Sequence, residues 1–172
     1  MNEASQYLRK LADKVASACI THAEPRAILL TGSVAERRSD EHSDIDLITY
    51  CDELPSADQI QAVRQEVEST EFRELGRSED AFGEDYYFDG VQCQVLYTTI
   101  RAWEKEMNSV LEQFDTSTTA QKAMEGLLCG VSLHGAELIE RRQDRARSYS
   151  EGLARAMVQA NLNFFPIWRV QD

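Results

Sequence analysis

The sequence predicts an α/β (α+β) fold: a small mixed sheet with flanking helices, followed by a C-terminal helical region. Three segments predict the sheet. Residues 27–32 (AILLTG) form an apolar run typical of a strand buried on both faces. Residues 44–50 (DIDLITY) alternate with the two-residue period of a strand. In residues 85–99 the pair Asp89-Gly90 separates two aromatic and β-branched runs, which indicates a hairpin.

Helical patterns lie before, between and after these strands. The apolar residues near the N-terminus recur at three- and four-residue spacing and predict an amphipathic helix that Pro25 ends. A second helix is expected to begin after Ser56, a suitable N-cap. Beyond the hairpin, the composition predicts only helices, over 99–114, 117–135 and 150–165, with the charged residues 140–148 as a separator.

This change of pattern predicts two parts, residues 1–115 and a helical extension at 116–172. The last ten residues, 163–172 (NFFPIWRVQD), are rich in large apolar side chains. A free terminus is normally polar. These residues therefore suggest either docking on the body of the protein or on a second copy, as in a homodimer, or a chain truncated from a longer one.

Composition excludes several classes of function. The 172 residues carry 30 acids and 18 bases, and the formal net charge of −12 disfavours nucleic acid as the main partner. The sequence shows neither an apolar signal core nor an apolar run of about 18 residues, so it predicts a cytoplasmic protein without a membrane span. A nucleotide remains compatible, since a bound divalent metal reverses the field locally.

Two acids mark the candidate site. The strand period places Asp44 and Asp46 on one face with their Cβ atoms about 7 Å apart, close enough to converge on one or two cations. Mg²⁺ often binds through one or two carboxylates together with substrate phosphates. The alternative interpretation is a solvated sheet face whose acids form a turn.

The pair Gly32-Ser33 directly follows the first buried strand. Glycine lets a phosphate approach the backbone, and the following N–H groups and the Ser33 hydroxyl are donors suited to an anion. On its own, such a pair is more often a simple turn.

The combination of LLTGS, a spacer of ten residues and DIDL resembles the signature of the DNA polymerase beta-like nucleotidyltransferase superfamily. It looks most like the small bacterial branch of aminoglycoside and lincosamide nucleotidyltransferases and minimal nucleotidyltransferases. The resemblance implies that Asp44 and Asp46 hold two Mg²⁺ ions and that Gly32 and Ser33 hold the terminal phosphates of ATP or another NTP. It also implies transfer of a nucleoside monophosphate to an acceptor hydroxyl.

The sequence departs from this family at the third carboxylate, which is expected four positions past the hairpin glycine. That position is Gln94, an amide that has no charge and cannot act as a base. Gln92, on the same strand face, is also an amide. Three explanations are open: a degenerate enzyme, an introduced substitution that traps substrate, or another acid in this role, from among Glu84, Asp85 and Asp89.

Arg37 and Arg38 lie in the spacer and could contact phosphate. Surface arginines beside acids such as Glu36 more often form exposed ion pairs of little energetic value. We assign Arg37 to the nucleotide as a hypothesis.

The sequence therefore predicts a magnesium-dependent nucleotidyltransferase, which transfers a nucleoside monophosphate from an NTP to a hydroxyl of a small molecule or, as a second choice, of a protein. Gln94 predicts impaired activity. The alternative function is a catalytically inactive nucleotide-binding or antitoxin-like regulatory protein of the same fold.

Overall fold

The apolar and alternating segments form one mixed, six-stranded sheet in the computed structural model, which describes residues 2–162. The strands are β1 (Ala27–Thr31), β2 (Ile45–Cys51), β3 (Thr70–Arg77), β4 (Ala81–Phe88), β5 (Val91–Thr99) and β6 (Val131–His134). Their order is β3-β4-β5-β2-β1-β6, with β2 and β5 parallel and the other neighbours antiparallel. The predicted mixed sheet with flanking helices is confirmed.

Seven helices accompany the sheet in the described part of the chain. They are α1 (Glu3–Ala23), α2 (Gly32–Ala35), α3 (Ala57–Glu66), α4 (Ile100–Leu111), α5 (Thr118–Cys129), α6 (Ala136–Arg147) and α7 (Glu151–Leu162). As predicted, Ser56 caps α3, and it does so in a capping box with Gln59, in which each side chain bonds the other residue's backbone N–H. The helices after the hairpin extend the chain without a second sheet.

The sheet separates two apolar cores. On one face, β2 contributes Ile45 and Leu47 to a core with α1 and α3. On the other face, Tyr50 stacks on Trp103 of α4 with ring centroids 3.8 Å apart, beside residues of α5 and α6. The side chains of β2 therefore alternate between the two faces of the sheet, as predicted. Asp46 shares its face with Tyr50, which α4 covers at the far end of the strand.

The helical prediction for residues 117–135 is wrong over its last part. The helix α5 ends at Cys129, and Val131–His134 form β6, which pairs antiparallel with β1. Helical periodicity could not reveal this strand, because its partner lies about 100 positions earlier in the sequence. Pairing with β1 satisfies backbone groups that would otherwise form an open sheet edge.

The charged segment 140–148 does not separate two helices, contrary to the prediction, because nearly all of it belongs to α6. One face of α6 buries Ile139, Gln143 and Ala146 at helical spacing. Its charged residues lie on the outer face, where arginines form ion pairs with acids of α4. The charges therefore mark a solvent-facing helix surface.

The strand β3 was not predicted by any pattern. All eight of its residues are exposed, so its sequence shows no alternation of apolar and polar residues. The hairpin of β4 and β5 is as predicted, with Asp89 and Gly90 at φ 52° and 78°, as a type I′ turn requires.

Residues 163–172, on which the homodimer hypothesis depends, lie outside the described residues. The division between residues 115 and 116 stays a prediction. Within residues 2–162, no helix combines the length and the apolar composition needed to cross a membrane.

Candidate active site

The end of β1 brings Gly32 against Asp46. Thr31 pairs with Asp46 in the antiparallel register, so the next residue, Gly32, lies beside the Asp46 side chain. A Cβ atom at Gly32 would lie only 2.5 Å from Asp46 Oδ2, and Gly32 has φ 66°. Both the close approach and the left-handed backbone require glycine at this position.

Gln94 lies on the other side of the acids. In the parallel pairing of β2 and β5, Asp46 is the partner of Gln94. The Gln94 Nε2 group donates a hydrogen bond of 3.1 Å to Asp44 Oδ2. The structure therefore brings Gly32, Asp44, Asp46 and Gln94 close together, and their roles in binding and catalysis stay predictions.

The electrostatics of this cluster favour a cation. Burial and, to a smaller extent, the nearby negative charge of Asp44 together raise the pKa of Asp46 to about 6. Both side chains are partly exposed, so an ion can reach them. A bound cation would offset the repulsion between the two carboxylates and favour the charged form of Asp46.

The spacer that follows Ser33 is fixed to the N-terminal helix. Ser39 is buried; its N–H donates to Ser5 Oγ at 3.1 Å, and its carbonyl accepts from Asn2 Nδ2 at 2.7 Å. The Ser33 hydroxyl lies 3.4 Å from that of Ser39. The spacer is therefore held at one point, close to Ser33.

Arg37 and Arg38 differ in their surroundings. Arg38 Nε pairs with Glu36 Oε2 at 2.8 Å, the exposed ion pair that the sequence offered as an alternative. Arg37 is exposed, has φ 61°, and forms no ion pair or side-chain hydrogen bond within residues 2–162. Its role toward phosphate stays a prediction.

The three acids that could have replaced the missing carboxylate are all engaged elsewhere. Asp85 accepts two hydrogen bonds from Arg73 and one of 2.9 Å from Gln92, and Arg73 holds the pKa of Asp85 below its ordinary value. Asp89 lies in the hairpin turn and accepts from the Tyr7 hydroxyl at 3.0 Å. Neither carboxylate contacts Asp44 or Asp46.

Glu84 is the third of these acids, and it points into the core on the opposite face of the sheet. It is 0% exposed, and its carboxylate accepts from Arg64 at 3.3 Å and from the Tyr97 hydroxyl at 3.5 Å. Burial raises the pKa of Glu84 to about 7. It cannot reach a metal between Asp44 and Asp46, because the sheet lies between them.

A cleft of about 480 Å³ opens beside the acids. Asp46 and Gln94 line one end, Arg77 and Ser78 line the other, and Leu75, Gly83 and Leu96 lie between them. The volume is within the usual range for a small-molecule site. Sequence reasoning did not single out these three residues, because β3, which carries Leu75, gave no strand signal, and Gly83 and Leu96 carry no chemical group that marks a site.

Residues 13–81 match the family model described as polymerase beta, nucleotidyltransferase. Over these residues, the chain is similar to the nucleotidyltransferase domain of the polymerase beta family. The matched range includes Gly32, Ser33, Asp44 and Asp46, and it ends before Gln94. A search of curated proteins found no match to this chain.

Several solved structures are similar to part of this chain. They include a cytoplasmic RNA terminal U-transferase (TM-score 0.46, 12% identity, 75% of this chain and 38% of that one). The Cid1 poly(U) polymerase with MgGTP bound gives a TM-score of 0.44 at 14% identity, over 75% and 41% of the two chains. The GLD-2/RNP-8 complex gives 0.38 at 11% identity, over 75% and 52%. The present chain therefore spans about two fifths to one half of the length of these structures.

The donor set of the candidate site fits a hard divalent cation. Asp44 and Asp46 offer carboxylate oxygens, and Gln94 offers an amide oxygen. Within the described residues, no group of three or more acids, histidines or cysteines could hold a metal. The site thus has two charged ligands where the family resemblance implies three.

Proposed function

We propose that this protein is a magnesium-dependent nucleotidyltransferase, which transfers a nucleoside monophosphate from ATP or another NTP to a hydroxyl of a small molecule. One observation carries the proposal: Asp46 touches Gly32 and pairs with Gln94, at the position where the family signature expects the nucleotide. The net charge of −12 supports a small acceptor over a nucleic acid.

In this proposal the acceptor oxygen attacks the α-phosphorus of the NTP. A new O–P bond forms, the bond from the α-phosphorus to the bridging oxygen breaks, and pyrophosphate leaves; the hydroxyl proton passes to solvent. Asp44 and Asp46 would hold Mg²⁺, in two ions by the family resemblance, and the metal would neutralise the triphosphate charge when bound. Gly32, Ser33 and Arg37 would hold the terminal phosphates.

Gln94 makes the chemical step slow. A carboxylate at this position could accept the hydroxyl proton, whereas an amide cannot. General-base help is typically worth about 10²- to 10⁴-fold in rate. We therefore expect turnover well below that of a complete site.

The hydrogen bond from Gln94 to Asp44 favours a second candidate, a nucleotide-binding protein without turnover. The Gln94 Nε2 group donates to the Asp44 carboxylate. In that geometry the Gln94 amide competes with a bound metal for the Asp44 carboxylate, and it contributes no charge of its own. Such a protein would bind MgATP and release no pyrophosphate.

Calorimetric titration of the full chain with ATP, with and without Mg²⁺, tests both candidates. We expect binding that depends on Mg²⁺ and is lost in Asp44→Asn and Asp46→Asn. The matched control is Asp52→Asn, which removes an exposed carboxylate just past the other end of β2. If Asp44→Asn and Asp46→Asn bind MgATP like the native chain, both candidates are wrong.

A pyrophosphate-release assay then separates the candidates. Gln94→Asp should raise the rate about 10²- to 10⁴-fold if the site lacks only a base. Measurable turnover by the native chain supports the transferase, whereas turnover by Gln94→Asp alone supports the nucleotide-binding protein. Because the acceptor is unidentified, hydroxyl compounds that bind the cleft serve as acceptors.

A further inference from the structure

An apolar strip lies open to solvent next to the candidate active site. Leu75 of β3 is 49% exposed and Leu96 of β5 is 39% exposed. Between them lies Gly83 of β4, which pairs with Leu96. We call these three residues the apolar shelf.

The apolar shelf is on the same face of the sheet as the acids. Leu96 is two residues past Gln94 on β5, and residues two apart on a strand share a face. Gln94 in turn pairs with Asp46. The shelf therefore runs away from the acids across β5, β4 and β3, and the cleft of about 480 Å³ connects the two.

Gly83 keeps the shelf flat. Its backbone is not in the left-handed region, so its conformation does not require glycine. A Cβ atom at Gly83 would lie 3.5 Å from Leu75 Cβ and 3.9 Å from Leu96 Cδ1, which is ordinary contact. Glycine here leaves a space of about one methyl group between the two leucine side chains, so no side chain of β4 rises between them.

The order of the strands favours an acceptor on the side of the acids where the apolar shelf lies. The proposed phosphate residues Gly32 and Ser33 follow β1, whereas the shelf lies on β5, β4 and β3, across β2 from them. In phosphoryl transfer the attacking and leaving oxygens are roughly in line on opposite sides of the phosphorus. With pyrophosphate at Gly32-Ser33, the attacking hydroxyl comes from the side of the shelf.

The charges that line the cleft restrict the acceptor further. Among the described residues that line the cleft, Asp46 is the one carboxylate, and the guanidinium of Arg77 lies 4.0 Å from the centroid of the Phe82 ring on the opposite face of the sheet. Asp85 lies nearby, but Arg73 neutralises it. Once Asp46 holds a metal, the cleft has no free negative charge to attract a cationic acceptor.

We propose that the apolar shelf is the acceptor subsite and that the acceptor is a hydroxyl compound with a flat apolar ring and no positive charge. This inference rests on the proposed nucleotidyl transfer. The ring lies on Leu75, Gly83 and Leu96, and the hydroxyl points toward Asp46 and Gln94. Polycationic amino sugars do not fit this subsite.

Binding of 2-naphthol, a neutral aromatic alcohol, tests the subsite. The full chain is saturated with Mg²⁺ and α,β-methylene-ATP, which blocks turnover, and 2-naphthol is titrated by NMR. The variants Leu75→Ser and Leu96→Ser remove exposed aliphatic groups, and Gly83→Val fills the gap with a side chain that suits a strand. Phe72→Ser is the matched control, because Phe72 is on β3, is 47% exposed and contacts Arg64 of α3 on the opposite face.

The native chain should bind 2-naphthol, and each shelf variant should bind it about tenfold more weakly or worse, because the apolar contact is lost or blocked. Phe72→Ser should bind like the native chain, and the polycationic probe kanamycin should not displace 2-naphthol. If the native chain does not bind 2-naphthol, if the shelf variants keep native affinity, or if kanamycin displaces it, the inference is wrong.

The affinity for α,β-methylene-ATP, measured on the same samples, distinguishes the two levels of the proposal. It should be unchanged in the shelf variants, because they lie away from Gly32 and Ser33. Nucleotide binding that is insensitive to Asp46→Asn contradicts the proposed function. If nucleotide binding is normal but the shelf variants bind 2-naphthol as tightly as the native chain does, only the acceptor subsite is contradicted.

Discussion

At the scale of single residues, the contact between Gly32 and Asp46 explains two features of the motif together. A glycine is favoured directly after the buried strand β1 because the backbone there turns into the left-handed region. It also lacks a side chain because the Asp46 carboxylate occupies the space where a Cβ would lie. The sequence predicted only that a phosphate can approach this glycine, whereas the structure reveals both the left-handed backbone and the contact with Asp46.

The substitution Gly32→Ala should therefore weaken MgATP binding by tenfold or more, on the order of 1.4 kcal/mol, because Asp46 must move. It should also cost about 1–2 kcal/mol of stability from the left-handed backbone alone. Calorimetric titration and thermal unfolding measure the two effects.

Gly90→Ala is the control for Gly32→Ala. Gly90 also has a positive φ, but no atom lies within 4 Å of its added Cβ. The Gly90→Ala variant should lose about as much stability as Gly32→Ala, but it should keep the native affinity for MgATP. Native MgATP affinity in Gly32→Ala would show that the contact with Asp46 does not matter.

Glu84 gives the protein a pH-dependent stability. Its pKa rises from the ordinary 4.5 to about 7 on folding, because it is buried. Between these values the unfolded chain has released the proton and the folded chain keeps it, so stability falls as pH rises through this window. At about 1.4 kcal/mol per pKa unit, the loss is about 3 kcal/mol by pH 7 and above.

Glu84→Gln should remove this dependence, because the amide does not titrate. The difference in unfolding free energy between variant and native chain, measured by urea unfolding at pH 4.5 and 7.5, isolates Glu84 from other groups such as Asp46. At pH 7.5, the unfolding free energy of Glu84→Gln should rise relative to that of the native chain. An equal difference at both pH values would contradict the prediction.

At the scale of elements, α6 shows why charge alone is a poor guide to structure. Its charged residues predicted a linker, but they form one face of a helix. Arg142 donates to Glu104 of α4 at 2.6 Å and lies 5.3 Å from the Trp103 ring centroid. This arginine joins two helices, and its stem covers part of the core.

Arg142→Ala should cost about 1–2 kcal/mol of stability, through the lost ion pair and cation–π contact. Its side chain is 14% exposed, whereas Arg147 on the same helix is 55% exposed and pairs with Asp144, three residues earlier. Arg147→Ala should therefore change stability by less than about 0.5 kcal/mol. Chemical denaturation of both variants measures the difference; equal effects would show that the α4 contact is unimportant.

At the scale of the whole molecule, the C-terminal part completes the sheet. The strand β6 covers one edge of β1, and Leu127 and Ile139 share a core with Ala27 and Leu29. The sequence predicted residues 116–172 as a separate helical extension. Truncation can test that division directly.

A chain ending at residue 115 should fail to fold cooperatively, because it exposes the β1 edge and half of the second core. Circular dichroism and heteronuclear NMR of the truncated chain, compared with the full chain, measure this. A folded fragment that still binds MgATP would instead support two independent parts.

Local patterns in the sequence determined the mixed sheet, the hairpin at Asp89-Gly90, the capped helix after Ser56 and the acids at positions 44 and 46. They could do so because strand period, turn residues and caps are properties of neighbouring residues. The motif also identified Gln94 as the residue beside the acids, and the β2–β5 register places it there.

Only the tertiary structure decided the rest. The strand β6 exists because β1 offers an edge, and its four residues are too few for their alternation to predict a strand. The strand β3 exists because β4 pairs with it, although its sequence does not alternate. The apolar shelf combines three strands, and Glu84 lies across the sheet from the acids although Gly83 and Asp85 do not. These features depend on contacts between residues distant in sequence, and such contacts leave no period in the sequence itself.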